Sequence, residues 1–184
     1  MITFVGAGPG AEDLITVRGQ RLLKEADIVI YAGSLVNPGL LKLCKESCEI
    51  YNSAKMTLEE VLEVMVKGHG DGKEIIRLHT GDPCLYGAIR EQMDILDEKN
   101  IAYDYCPGVS AFCGAASALN LEYTLPNGQK VKFLDDQKTY LGNQLESEFG
   151  GDRCFGILAS MDFILACTYE KDGENPELLI YKKR

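Results

Sequence analysis

Apolar and polar positions follow two alternating rhythms over the first two thirds of the chain. Ile2-Thr3-Phe4-Val5 is a short β-like run, and Leu14 to Ala26 sets Leu14, Val17, Leu22 and Leu23 among charges as an amphipathic helix does. Ile28-Val29-Ile30-Tyr31-Ala32 reads as a second, buried strand, and Asn37-Pro38-Gly39 introduces a short helix over Leu40 to Cys44. Thr57-Leu58-Glu59-Glu60 is a capping box: the threonine hydroxyl and the glutamate three residues on satisfy backbone amides that a helix start leaves open. Gly68-His69-Gly70-Asp71-Gly72 ends the helix so begun. Glu74 to His79 predicts a strand, Tyr86 to Lys99 a helix, Ile101 to Tyr105 a strand, and Ser110 to Leu119 a helix of small residues. Strands apolar on both sides, separated by helices, need cover on both faces of their sheet. The fold class expected for residues 1–126 is therefore α/β, a mostly parallel sheet with helices on both faces.

From Pro126 onward the rhythm changes. Asn127-Gly128 is a turn signal, Val131 to Leu134 predicts a strand, and Asp136 to Phe149 is polar with some helical character. Phe163 to Tyr169 and Leu178 to Tyr181 flank Lys171 to Pro176 as a β-hairpin with a loose turn. Residues 127–184 are thus expected to form a short α+β tail.

Composition narrows the partners. A chain of 184 residues does not hold two full-sized domains, and its formal charge of −9 (19 Lys+Arg, 28 Asp+Glu) is spread along its length. No basic stripe is available to neutralise a row of phosphates, which argues against nucleic acid. No apolar run approaches the roughly 18 residues of a membrane span. Met1 to Val5 leads straight into glycines with no secretory pattern, and seven cysteines at irregular spacings read as reduced thiols, so a cytoplasmic location is expected. Cys44 and Cys48 are expected as neighbours on a helix, yet no second Cys/His pair is placed to complete a tetrahedral site. No metal is expected.

Ligands of open α/β sheets bind beyond the carboxyl ends of the strands, where the chain presents backbone amides that no sheet partner occupies. Three strand ends here carry distinctive loops: Gly6-Ala7-Gly8-Pro9-Gly10, Thr80-Gly81-Asp82-Pro83 and Pro107-Gly108-Val109-Ser110-Ala111. The first only approximates a dinucleotide fingerprint. Ala11 stands at the third small position, Pro9 lacks an N–H, and Ala32-Gly33-Ser34 stands where an acid would hold a ribose. Taken alone it reads equally well as a tight strand-to-helix turn, and Asp82-Pro83 alone as an ordinary helix start.

The ordered combination says more. Gly6-x-Gly8-Pro9-Gly10 is followed by Tyr31-Ala32-Gly33-Ser34-Leu35-Val36, by Arg77-x-His79-Thr80-Gly81-Asp82-Pro83 with Tyr86-Gly87-Ala88-Ile89-x-Glu91-Gln92, and by Pro107-Gly108-Val109-Ser110. This series resembles the tetrapyrrole (corrin/porphyrin) methylase family over residues 1–126, and within it the precorrin-4 or cobalt-precorrin-4 C11-methyltransferase branch. The resemblance implies an S-adenosyl-L-methionine-dependent C-methyltransferase of cobalamin biosynthesis, with a small-molecule corrin precursor as substrate and a homodimeric assembly. It implies that Pro9, Thr80, Gly81, Asp82, Ser110 and Ala111 line the cofactor, and that Tyr31 and Ser34 line the substrate. No catalytic side chain is nominated, because an activated methyl needs positioning and exclusion of water rather than a nucleophile from the protein. His79 is expected to be a structural histidine at a strand end, and His69 to be exposed in a polar loop.

One feature departs from the family. Its members carry a second α/β domain that forms half of the cofactor cleft, whereas here Asn127-Gly128-Gln129-Lys130-Val131-Lys132 replaces the expected continuation. Residues 1–126 are accordingly expected to be the amino-terminal methylase domain and residues 127–184 a divergent or truncated segment. A non-catalytic or truncated binding module, or a methylase acting at another corrin position, are the competing readings. Corrin precursors also carry many carboxylates, for which Arg18, Arg21, Arg77 and Arg90 are the candidate cations. Exposed surface charge is the plainer explanation of Arg18 and Arg21.

Overall fold

The computed structural model describes residues 1–120, 131–134, 164–169 and 177–182. The chain divides into two compact units, Met1–Ala111 and Phe112–Arg184.

The first unit is built on a five-stranded, wholly parallel sheet. Its strands are β1 (Ile2–Gly6), β2 (Ile28–Tyr31), β3 (Glu49–Asn52), β4 (Ile75–His79) and β5 (Tyr103–Cys106), in the order β3-β2-β4-β1-β5. Helix α1 (Val17–Glu25) follows β1, α2 (Leu58–Gly70) follows β3, and α3 (Arg90–Glu98) follows β4. Successive strand residues point to opposite faces, so each central strand feeds two cores. Val5, Val29, Ile76 and Leu78 pack with Leu23 of α1, while Ile2, Phe4, Ile28, Ile30 and Ile75 pack with Val61, Leu62 and Met65 of α2 and Leu96 of α3. The α/β class with helices on both faces follows from this double burial.

The capping box at Thr57 is present. The Thr57 hydroxyl accepts from the Glu60 amide at 3.2 Å, and the Glu60 carboxylate accepts from the Thr57 amide at 2.8 Å. Several boundaries differ from expectation. α1 starts at Val17 because the Thr16 hydroxyl caps it, accepting from the Gly19 amide at 3.0 Å; a separate 3-10 turn covers Glu12–Leu14. Leu14 and Val17 are consequently exposed, Val17 at 86%, instead of lying on the buried face. The short helix before Cys44 is a 3-10 helix over Pro38–Leu43. Cys44 and Cys48 therefore share no helix and flank a turn closed by the Cys48 amide on the Lys45 carbonyl at 2.9 Å. The edge strand β3 was not anticipated: Glu49-Ile50-Tyr51-Asn52 is half polar and partly exposed, as an edge allows.

The largest difference is at α3, which begins at Arg90 rather than Tyr86. Tyr86 and Ala88 have left-handed backbone, with φ of 56° and 49°. His69 lies in the last turn of α2 and is half-buried, not in a solvated loop.

In the second unit, after α4 (Ala111–Leu119), the described strands are β6 (Val131–Leu134), β7 (Ile164–Tyr169) and β8 (Glu177–Lys182), ordered β6-β8-β7. β7 and β8 pair antiparallel, as the expected hairpin requires, and β6 pairs parallel to β8. The Asn127-Gly128 turn, the polar stretch Asp136 to Phe149 and the Lys171 to Pro176 connection lie outside the described residues. No helix among the described residues is long and apolar enough to cross a membrane.

Candidate active site

The topology places a crevice between β1 and β4. The chain leaves β1 for α1 on one face and leaves β4 for α3 on the other, although the two strands are neighbours. Connections that part in this way open a cleft beyond the carboxyl ends of the strands.

Three glycines, one from each distinctive loop, close the floor of that cleft. A Cβ added at Gly6 would stand 2.5 Å from Gly108 Cα and 2.6 Å from the Gly81 carbonyl oxygen, and one at Gly108 would stand 2.2 Å from that same oxygen. The loops after β1, β4 and β5 thus meet main chain to main chain. The first two are also laced together: the Gly8 amide donates to the Gly81 carbonyl at 3.2 Å, the Gly81 amide to the Gly8 carbonyl at 2.8 Å, and the Ala7 amide to the His79 carbonyl at 2.7 Å. Gly8 and Gly81 have φ of 80° and 58°, the left-handed range that favours glycine. The first loop is therefore more than a turn, since its glycines permit contact across the sheet.

Asp82 ties the second loop to the third. Its Oδ1 accepts from the Cys84 amide at 2.9 Å and from the Tyr105 hydroxyl, and its Oδ2 accepts from the Gly108 amide at 3.0 Å. Burial raises the Asp82 pKa, but the hydrogen bonds from Tyr105, Cys84 and Gly108 outweigh it and hold the carboxyl below its ordinary value. Burial, and then the bond to Asp82, push the Tyr105 hydroxyl well above its usual range, so it remains a donor. Both carboxylate oxygens are engaged by the protein itself.

The other candidate residues sit around this junction. Pro9 is half-buried between Gly8 and Gly10, and the Gly10 carbonyl accepts from the Asn37 amide nitrogen at 2.7 Å, joining the β1 loop to the segment after β2. Thr80, Ser110 and Ala111 are half-buried, and the Ala111 amide nitrogen is 3.1 Å from where a Gly81 Cβ would lie. Tyr31 ends β2, half-buried; its carbonyl accepts from Ser53 Oγ at 3.0 Å, and the following Ala32 amide donates to the Leu78 carbonyl at 3.2 Å. Ser34 lies in the 3-10 turn Gly33–Leu35. The cofactor candidates thus surround one junction, and the substrate candidates lie at the end of β2, the strand beside β4, and in the turn that follows it. His79 is buried and stacks against Phe4 with ring centroids 6.2 Å apart.

Sequence reasoning missed Tyr105, Asn37 and Leu85. Nothing in the local pattern around Tyr105 marks it as a partner of a residue 23 positions away. Leu85 is exposed beside Asp82, and its amide donates to the Asp82 carbonyl at 3.1 Å. Of the four candidate arginines, Arg90 pairs with Asp94 and Asp97, Arg77 is buried, and Arg18 and Arg21 are exposed on α1. Among the described residues no cluster of three His, Cys, Asp or Glu side chains is placed to hold a metal ion.

The family model for tetrapyrrole (corrin/porphyrin) methylases matches residues 1–151. The chain belongs to this family. Over 125 residues the chain is 53% identical to a cobalt-precorrin-4 C(11)-methyltransferase of Methanocaldococcus jannaschii, covering 68% of the present chain and 48% of that protein. The chain thus spans about half the length of the curated relatives it matches. Its fold superposes on the X-ray structure of a cobalt-precorrin-4 methyltransferase, a cobalamin biosynthetic enzyme, with a TM-score of 0.71 and 41% identity, covering 75% of this chain and 59% of that one. A uroporphyrin-III C-methyltransferase of Thermus thermophilus, solved in complex with S-adenosyl homocysteine, aligns with a TM-score of 0.59 and 28% identity over 72% of this chain and 57% of that one.

Proposed function

We propose that this methylase is an S-adenosyl-L-methionine-dependent C-methyltransferase that acts at C11 of precorrin-4 or cobalt-precorrin-4 in cobalamin biosynthesis. One observation carries the reading. The 125 residues that are 53% identical to a cobalt-precorrin-4 C(11)-methyltransferase account for two thirds of the chain, and the glycine junction and Asp82 fall within residues 1–111. We read Pro9, Thr80, Gly81, Asp82, Ser110 and Ala111 as the cofactor-lining residues and Tyr31 and Ser34 as substrate-lining residues.

The junction fits such a cofactor. Its floor is bare main chain where no Cβ can stand, and Leu85 and Tyr86 offer exposed apolar surface at its rim. When bound, S-adenosylmethionine supplies a methyl group already activated on a sulfonium, which an electron-rich ring carbon accepts without help from a protein nucleophile. The work left to the chain is to hold two ligands in line and keep water out. Asp82 contributes by fixing the loops after β4 and β5 to each other, not by exchanging a proton, because its carboxyl is held in the ionised form.

Residues 1–126 are read as the amino-terminal methylase domain and residues 127–184 as a divergent or truncated segment. Cytoplasmic location and homodimeric assembly belong to the same proposal. A second reading, a binding module that holds the cofactor without turnover, is raised by the match to these relatives covering 68% of this chain and leaving the rest unaligned. Calorimetric titration with S-adenosylhomocysteine, followed by turnover of precorrin-4 and its cobalt form, separates the two. Binding with turnover supports the enzyme, binding without turnover supports the module, and no binding removes both.

A further inference from the structure

Arg77 is a buried charge that the site described so far does not use. It lies in the middle of β4, only 7% exposed; its Nε donates to Gln92 Oε1 at 3.1 Å and its Nη1 to the Ile30 carbonyl at 3.2 Å. None of the ion pairs among the described residues involves it. Burial lowers its pKa to about 10, which leaves it charged at neutral pH. Taking a guanidinium out of water without a carboxylate is costly, and an apolar side chain would fill the same space more cheaply.

Gln92 carries the connection onward. It is 4% exposed, and its Nε2 donates to the Ala88 carbonyl at 3.0 Å. Arginine has only donors, so Gln92 must turn its oxygen to Arg77 and its amide nitrogen to Ala88; the direction of the chain of bonds is fixed by chemistry. The segment it reaches is the strained one. Tyr86 and Ala88 are left-handed without being glycine or asparagine, and between them Gly87 packs so tightly that a Cβ there would stand 2.0 Å from the Pro83 carbonyl oxygen. Backbone of this kind persists only where its surroundings over-determine it, and it gathers at functional sites. The segment begins four residues after Asp82 and presents Tyr86, 61% exposed. At the other end, the Ile30 carbonyl immediately precedes Tyr31, on the substrate side.

We propose that Arg77 and Gln92 are positioning residues: together they strut the left-handed Tyr86–Ala88 segment against β2 and hold the rim of the cofactor loop in its binding conformation. The ligand part of this proposal rests on the cofactor reading above; the conformational part does not.

The chain contains no tryptophan, so Tyr86→Trp places a single fluorophore on the segment. Gln92→Glu is the discriminating change, since a carboxylate still accepts from Arg77 but can no longer donate to Ala88. In the Tyr86→Trp background, Gln92→Glu is expected to unfold at a urea midpoint no lower than its parent. Its indole is nevertheless expected to lose anisotropy and become more open to acrylamide. In the otherwise unaltered chain, Gln92→Glu is expected to weaken S-adenosylhomocysteine about tenfold, as when the competent conformer falls to about one tenth of the population. Unchanged anisotropy and quenching in a folded Gln92→Glu protein overturn the proposal. Should that variant not fold, Gln92→Met removes donor and acceptor at similar volume and is read in the same way. If the unaltered chain binds no S-adenosylhomocysteine, the cofactor reading fails and the fluorescence result alone decides the strut.

Discussion

Replacing Asp82 by asparagine keeps the shape of the side chain while removing its charge and one of its acceptors. In the folded chain the carboxylate receives the Cys84 amide at 2.9 Å, the Tyr105 hydroxyl, and the Gly108 amide at 3.0 Å. An asparagine that keeps the first two turns its NH2 toward the Gly108 N–H, donor against donor. A hydrogen bond to a charged group contributes about 1.5–3 kcal/mol, and Asp82 is half-buried, so water recovers part of that loss. Asp82→Asn is therefore expected to cost about 2 kcal/mol at pH 7, measured from urea unfolding followed by circular dichroism. The pH dependence carries its own sign. The folded carboxyl titrates below its ordinary value, so the folded state binds the proton less tightly than the unfolded chain does. The stabilisation is complete above the unfolded pKa, about 3.9, and is lost as pH falls through the folded value. The difference between parent and Asp82→Asn is thus expected to be full at pH 7 and to shrink below about pH 4. A difference within about 0.5 kcal/mol of zero at pH 7, or one as large at pH 3 as at pH 7, would refute the role given to this carboxylate.

Two glycine replacements are expected to act in opposite directions. Gly108→Ala places a Cβ 2.2 Å from the Gly81 carbonyl oxygen and is expected to cost about 3 kcal/mol or more, with loss of S-adenosylhomocysteine binding in calorimetry. Gly70→Ala, at the end of α2 with nothing within 4 Å of the new Cβ, is expected to stabilise by about 0.5 kcal/mol in the same urea experiment. Thr57→Ala removes the hydroxyl that caps α2 and is expected to lower stability by about 1 kcal/mol, with Thr57→Ser restoring most of it.

What the sequence disclosed was whatever depends on neighbours along the chain. Ile2 to Val5, Ile28 to Ala32 and Glu74 to His79 read as strands because their apolar runs are buried on both faces, and Thr57 with Glu60 reads as a helix start because the box is local. β3 stayed hidden because an edge strand with Glu49 and Asn52 exposes much of itself and shows no apolar run. The start of α3 was misplaced because Tyr86 to Lys99 has helical composition throughout, while its first residues are set left-handed by the packing of Gly87 on Pro83. The site divides along the same line. Its three loops could be named from their glycines, but that Gly6, Gly81 and Gly108 touch one another follows only from β4, β1 and β5 lying side by side. Asp82 was chosen for where it stands, and its partners Tyr105 and Gly108 lie 23 and 26 residues away.

The same geometry bears on how an acidic chain could hold a polycarboxylate substrate. The net charge of −9 is an average over the whole molecule, and the structure separates its parts. Asp27 with Lys45, Glu49 with Lys73, and Glu74 with the Met1 amine all lie at the amino ends of the strands. β2 and β4 are 4 and 5 residues long, and at about 3.3 Å per residue they set those pairs roughly 13–16 Å from the carboxyl edge. That exceeds the Debye length of about 8 Å at physiological ionic strength, so the amino-edge acids are largely screened from the site. At the carboxyl edge, Asp82 has its charge held by three donors. Arg77 lies in the middle of β4, five residues before Asp82, with no carboxylate partner among the described ion pairs. The same edge carries Glu12 and Asp13 after β1, Glu59 and Glu60 in the first turn of α2 and Glu91 in that of α3, against Arg18 in α1, Lys55 after β3 and Arg90 in α3. An anionic ligand at this edge therefore meets more acids than exposed cations, and the reading proposed here asks that its carboxylates be placed close to the few cations present, because a screened charge acts only within about 8 Å.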